Sequence, residues 1–311
     1  MNYLNLNPKN QQCLYYLENN LINLIKLYKN NNLPNKILLS GQKGIGKATL
    51  CYHLINFLFS QNEDYKYDLK NFKINNLNKS YKLVNNNSHT NLFTIKLLKD
   101  KKNIEISQIR EMINFTQKSS FNNNEKIVLI DNVESLNLNS LNALLKIIEE
   151  PNNNIIFLLV FDNNKKIAST LRSRCIKFNL HLTYKESLST INKITNQDIS
   201  KLISSELINY YYTPGDYFDL LNFSHHNDFD LLNCTLKDFI KKLIEKNDYV
   251  KNQYVQMNIF KFIELYLIKL NSDNKINNLY SDFVKKISNI KKFNLDYESL
   301  FIEFKSKILH E

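Results

Sequence analysis

Glycine is scarce in this chain, four residues in 311, and proline is no commoner at four. Glycine loses more backbone entropy on folding than any other residue. A chain that uses so little of it and still sets Gly41, Gly44 and Gly46 within six positions has a local reason for the cluster. Cysteine is equally thin. Cys13, Cys51, Cys175 and Cys234 lie far apart with no CxxC pair, which excludes a local four-ligand zinc module and a disulfide framework. No zinc and no other metal site is expected. No stretch approaches the ~18 consecutive apolar residues of a membrane span. The first thirty residues also lack a charged start followed by an apolar signal core. The expectation is a cytoplasmic protein with no membrane partner.

Arginine is the remaining scarcity. Lysine and asparagine abound while arginine, glycine and proline are rare, the bias that an AT-rich genome imposes whatever the protein does. The net charge of +11 is therefore a weak pointer to nucleic acid. The same bias makes the few arginines informative: Arg110 stands alone, whereas Arg172 and Arg174 fall together in LRSRC. The length suits about two domains with ample chain for a core.

The glycine cluster lies in SGQKGIGKAT, residues 40–49. Before it, 36–39 reads as a short buried strand; after it, Leu50, Leu54, Ile55 and Leu58 recur at helical spacing. Strand, glycine loop and helix together form the context in which such a loop binds phosphate. Successive backbone N–H groups point at phosphate oxygens, and the positive helix end and an ammonium neutralise charge. Gly41, Gly44, Gly46 and Lys47 fit GxxxxGK[ST], with Ile45, Ala48 and Thr49 completing the nucleotide-binding stretch. Ala48 stands where a hydroxyl would reach Mg²⁺, and Thr49, one residue on, is expected to turn elsewhere. Binding without efficient hydrolysis follows, with ATP as the expected ligand. The bland alternative is a strand-to-helix turn that takes no ligand.

A helix is expected over 12–28 from the stripe Leu14, Leu17, Leu21, Leu24, Ile25 and Tyr28. Residues 61–89, rich in Asn, Lys and Tyr, show no period and read as an irregular insertion, with the asparagine runs as surface loop and His89 as a turn residue. A strand over 93–97 and a helix to residue 117, capped by Ser107, follow; Ile109, Met112, Ile113 and Thr116 line its inner face. The apolar runs KIVLID (126–131) and IIFLLVF (155–161) suit parallel strands covered on both faces. Between them lies a helix over 138–150, stopped by Pro151. A short helix over 168–172 and a strand over 175–180 complete an α/β domain. Beyond residue 180 only helical periods remain. Phe239, Phe260, Phe283, Phe301 and Phe304 share stripes with Leu and Ile and are read as core rather than as base-stacking platforms.

Asp131 ends the 126–131 strand, where a P-loop enzyme holds Mg²⁺ through water, but Asn132 follows it in place of a water-orienting carboxylate. An ordinary strand-end turn would also use an Asp there. Glu134, two residues on, could substitute in part for that carboxylate, but is expected to be solvated or to cap the next helix.

Four stretches in order, GQKGIGKAT (41–49), IDNVESLN (130–137), NALLKIIEEP (142–151) and SRC (173–175), resemble the AAA+ subunits of the bacterial DNA polymerase III clamp loader, most nearly the delta-prime type. The resemblance implies an α/β P-loop AAA+ domain, its parallel sheet between helices, over 1–180. A small helical lid over 181–224 and an all-α collar over 225–311 would follow. It implies partners of gamma or tau and delta type in a hetero-pentameric ring, action on the sliding clamp, and indirect contact with primed DNA. Arg174 of SRC would enter a neighbouring subunit's ATP site as an arginine finger; the bland alternative is a surface or ion-paired arginine at a helix end. Departures from the hydrolysing subunits are Ala48, Asn132, Phe161-Asp162-Asn163 where a sensing Thr is usual, and Asp216 after Gly215 where an Arg is usual. Residues 60–92 hold no Cys, so the family's zinc module is missing. The expected function is a delta-prime-like subunit that hydrolyses little or no ATP itself. The rivals are a self-sufficient gamma/tau-type ATPase motor, favoured by Gly46-Lys47 and Asp131, and a standalone basic DNA-binding protein.

Overall fold

The computed structural model describes residues 6–98, 101–118, 125–149, 154–208, 210–272, 277–293, 295 and 297–309. Glu150 and Pro151, expected to end a helix, lie outside the described residues. The chain divides into two compact units: residues 1–196 with 212–217, and residues 197–211 with 218–311.

The first unit is built on one sheet of five strands, β1 (Lys36–Gly41), β2 (Leu92–Ile95), β3 (Lys126–Ile130), β4 (Ile155–Asp162) and β5 (Ile176–Asn179). Their order is β2-β3-β4-β1-β5 and every pairing is parallel. Side chains alternate between the two faces of a strand, and here both faces are covered. Ile37 and Leu39 of β1, Ile127 and Leu129 of β3, and Ile156, Leu158 and Val160 of β4 pack on one side. There they meet α1 (Glu18–Lys29) and α2 (Lys47–Phe59). Leu38, Val128, Ile130, Phe157 and Leu159 pack on the other against α4 (Ile106–Gln117) and α5 (Leu138–Glu149). Double coverage is why these strands read as unbroken apolar runs. The fold of this unit is thus α/β, a parallel sheet between helical layers.

Three local expectations are corrected. The helix expected over 12–28 starts at Glu18. Residues before it run extended, with Leu14 N–H bonded to Phe72 O and Ile74 N–H to Gln12 O, and Tyr16 takes a φ of 60°. Leu14 and Leu17 are buried as their stripe predicts, but tertiary backbone pairing outcompetes helix there. The partner is the supposedly irregular 61–89 segment. It contains helix α3 (Lys79–Asn85) and buries Tyr67, Ile74 and Val84 in the core beside α2. Asn78, fully buried, caps α3 and accepts from the Asn56 amide at 3.0 Å, so one asparagine of this stretch is structural. Helix α4 is capped by Glu105 rather than Ser107, in a reciprocal box with Gln108. His89 stacks on Phe59 with ring centroids 4.0 Å apart.

After β4 comes the single-turn α6 (Ser169–Arg172), and after β5 comes α7 (Tyr184–Thr195), opened by a Thr183–Glu186 capping box. The second unit has helices and no strand among its described residues. It holds α8 (Ser205–Ile208), most of α9 (Pro214–His226), α10 (Leu236–Glu245), α11 (Asp248–Lys251), α12 (Gln253–Ser272), α13 (Asn277–Phe293) and α14 (Glu298–Phe304). Phe239 and Phe262, both fully buried, meet edge to face at 5.1 Å, and Phe283 and Phe304 do so at 5.5 Å. Phe260 and Phe301 are buried as well, so the aromatic stripes are core, as their spacing predicted. Among the described residues no helix is long and apolar enough to cross a membrane.

Candidate functional site

The glycine loop sits where the sheet's buried strand β1 hands over to α2. Gly44 and Gly46 have φ of 85° and 96°, the left-handed region that a side chain opposes, and Gly46 is the residue at which α2 begins. The loop and the positive end of a 13-residue helix thereby border one cavity of about 270 Å³. Gly44, Ile45, Gly46, Lys47, Ala48, Thr49 and Asp131 all line it. Thr49 was expected to turn elsewhere and instead borders the same space. Gly41 ends β1 behind the loop, where a Cβ would come within 2.5 Å of the Leu180 carbonyl oxygen.

Lys47 is 6 % exposed, and its ammonium donates to the carbonyls of Gly41 at 2.7 Å and Gln42 at 2.6 Å. Burial pushes its pKa down, while Asp162, Glu134 and Asp131 pull it back up. Asp131 is held above the usual carboxylate range by burial, against the pull of Lys96 and Lys47. Glu134, expected to be solvated or capping, has a side chain only 1 % exposed. It accepts the Asp162 N–H at 3.2 Å and faces Lys165 at 3.5 Å. The αL turn at Asn132, φ 61°, swings Glu134 inward beneath the end of β4. Asp162 itself is buried and lines the cavity.

Sequence reasoning missed two walls. Tyr15, Leu17 and Cys13 from the extended segment before α1, and Thr190 and Ile194 from α7, line the cavity. Tyr16 ties these walls together, its hydroxyl donating to Ser189 at 2.8 Å. Burial and a hydrogen bond with Cys13 push the Tyr15 phenol up to about 12. Leu17 falls in an apolar stripe that reads as helix, and nothing in the sequence marks Tyr15, Thr190 or Ile194 as neighbours of the glycine loop. The third missed part is Gly215, whose amide donates to the Gly44 carbonyl at 3.1 Å. All four glycines of the chain thus gather around one loop. Asp216, expected as the replacement for a sensing Arg, caps α9 by accepting the Thr213 N–H at 3.0 Å.

Arg174 is elsewhere. It follows α6, donates from one guanidinium nitrogen to the Thr170 carbonyl at 2.8 Å and pairs through the other with Glu149 at 2.6 Å; 36 % of its side chain is exposed. The four cysteines are unpaired, and among the described residues no group of three or more His, Cys, Asp or Glu is placed to hold a metal.

A glycine loop at a helix start, a buried lysine beside it and a strand-end aspartate, all bordering one cavity, define a P-loop protein. A model of the family described as DNA polymerase III, delta subunit, matches residues 17–183, more than half of the chain, and the chain belongs to that family. DNA polymerase III subunit delta' of Buchnera aphidicola subsp. Baizongia pistaciae is 34% identical over 189 residues, covering 57% of this chain and 54% of that protein. The same subunit of Buchnera aphidicola subsp. Schizaphis graminum is 27% identical over 288 residues, covering 86% and 83%. The first of these matches thus spans about half the relative's length. A solved DNA polymerase III gamma subunit-related protein from Thermotoga maritima superposes with a TM-score of 0.47 at 14% identity, covering 90% of this chain and 96% of that one.

Proposed function

We infer that this chain is a delta-prime-type clamp-loader subunit of DNA polymerase III, acting in DNA replication in the cytoplasm as a fixed member of a ring rather than its motor. The observation that carries the reading is the family match across the P-loop and SRC segments. An AAA+ domain over 1–180, a lid over 181–224 and a collar over 225–311 would place the chain beside gamma or tau and delta partners in a five-membered ring. That ring would open the sliding clamp and set it on primed DNA, which this chain would touch only indirectly.

The amides of Gly44 to Lys47 and the Lys47 ammonium would hold the phosphates of ATP, the ammonium exchanging the Gly41 and Gln42 carbonyls for phosphate oxygens. Hydrolysis would be poor because no hydroxyl stands at Ala48, no carboxylate at Asn132 and no cation at Asp216. Arg174, exposed and outside its own cavity, would stabilise charge on the phosphoryl group transferred in the neighbour's site. A second reading, a self-sufficient gamma-type ATPase, is favoured by one observation: Thr49 borders the cavity and could supply the hydroxyl that Ala48 lacks. Turnover by the purified chain decides between them. Negligible ATP hydrolysis with retained nucleotide binding supports the fixed-member reading; hydrolysis that disappears in Lys47→Ala overturns it.

A further inference from the structure

The geometry points to Glu149 as the residue that positions Arg174 for its work outside the chain. This rests on the reading that Arg174 serves a neighbouring subunit's nucleotide. A free arginine side chain has several rotatable bonds and spends little time in any one pose. Arg174 is pinned at two points on two helices: Glu149 is the last described residue of α5, and Thr170 lies in α6. Those helices are themselves fixed, because Ile148 beside Glu149 and Leu171 beside Thr170 are fully buried in the same core cluster. The guanidinium therefore inherits the rigidity of the sheet's covering layer through a carboxylate and a carbonyl.

Two features separate this from an ordinary surface pair. A carboxylate near a helix C-terminus, where Pro151 two residues on in the sequence puts Glu149, faces the negative end of the helix dipole and is disfavoured there unless a cation answers it. The cation that answers Glu149 is Arg174, one of only three arginines in a chain whose composition otherwise supplies lysine. The planar fork also lets the contacts coexist with function. Of five guanidinium N–H donors, one goes to Thr170 and one to Glu149, which leaves three for phosphate oxygens. Held this way, the donors are presented to a partner without the ordering cost that a mobile side chain would carry at each turnover.

The test assembles Glu149→Gln, Glu149→Asp and Arg174→Ala chains with gamma- or tau-type and delta-type partners. Clamp loading and clamp- and DNA-stimulated ATP turnover are then measured, and assembly is monitored by gel filtration. Glu149→Gln should assemble normally and lower clamp loading roughly tenfold, with total ATP turnover falling in part because other sites keep working, and with KM for ATP unchanged because binding in the neighbour's site does not depend on the arginine's pose. Glu149→Asp should recover much of the loss, and Arg174→Ala combined with Glu149→Gln should be no worse than Arg174→Ala alone. If Arg174→Ala lowers loading while Glu149→Gln does not, or makes it faster, the positioning role is wrong and the finger reading stands. If Arg174→Ala itself loads clamps at the wild-type rate, the finger reading fails and this role fails with it.

Discussion

The amide of Gly215 donates to the carbonyl of Gly44 at 3.1 Å, so the only glycine outside the phosphate loop is packed on the loop's own backbone. A Cβ at Gly215 would stand 2.7 Å from the Gly44 Cα, and one at Gly44 would stand 2.5 Å from the Thr213 hydroxyl oxygen. The two glycines are needed together because two main chains meet there with no room for a side chain between them. The contact also fixes one wall of the cavity, since Pro214 and Gly215 both line it.

Gly215→Ala should therefore loosen the loop. Gly215 does not have a left-handed φ, so the objection to alanine is steric only, and backbone rather than a yielding side chain must move. Overpacking of this kind costs about 1–3 kcal/mol. Urea denaturation should show a lower midpoint with an unchanged slope, and nucleotide binding should weaken in parallel. An unchanged midpoint would mean that the Gly44–Gly215 contact opens freely in solution.

Acid sensitivity should trace to His53. The ring is fully buried, with Nδ1 2.8 Å from the Tyr67 hydroxyl and Nε2 3.1 Å from the Gln11 carbonyl. Burial lowers its pKa from 6.5 to about 4. In the unfolded chain the imidazole takes up a proton near pH 6.5, whereas the folded chain refuses it until about pH 4. The stabilising contribution is thus complete above 6.5 and lost progressively between 6.5 and 4, by roughly 3 kcal/mol in all. Stability measured across that range should fall more steeply in the wild type than in His53→Gln, which keeps a polar side chain and cannot charge. Parallel pH profiles for the two proteins would count against the assignment.

Glu134 should prove structural to the end of β4. Its removal in Glu134→Ala leaves the Asp162 N–H without its acceptor, a loss worth about 1–3 kcal/mol. Glu134→Gln keeps an acceptor oxygen and should cost less. Chemical denaturation of the two variants gives the comparison, and equal loss in both would show that charge, through Lys165 and Lys47, matters more than the hydrogen bond.

The α/β core was legible in the sequence because burial on both faces writes strands such as IIFLLVF as unbroken apolar runs, and because α4 and α5 each bury one stripe. The phosphate loop was legible because scarcity made its glycines conspicuous. The cavity's remaining walls were not. Tyr15 and Leu17 reach it from a segment whose apolar spacing mimics helix, while its backbone pairs with residues 72–74, far away in the chain. Asn78 was hidden among many asparagines, although it alone there is fully buried and caps a helix. Glu134 was misjudged because its direction depends on the left-handed turn at Asn132, which a single sequence does not announce.

Lysine should not replace Arg174, although this chain uses lysine almost everywhere a cation is wanted. The Thr170 carbonyl and the Glu149 carboxylate are met by different guanidinium nitrogens at 2.8 and 2.6 Å, a division that a planar fork makes without strain. An ammonium on a flexible stem is a single point and cannot hold both partners and still present a separate pair of donors to a phosphoryl group. Because the pair is partly exposed, Arg174→Lys should leave the melting of the isolated chain nearly unchanged, surface ion pairs being worth about 0–1 kcal/mol. In the assembled ring a missing trans arginine costs roughly 10³ to 10⁵ at the site it serves. Other sites would keep turning over, so total ATP hydrolysis should fall in part while clamp loading falls further. Arg174→Lys and Arg174→Ala should therefore look alike in loading assays with wild-type partners and unlike wild type. If the lysine variant loads clamps at the wild-type rate, a positive charge at that position is all the neighbour requires and the geometric argument for arginine is wrong.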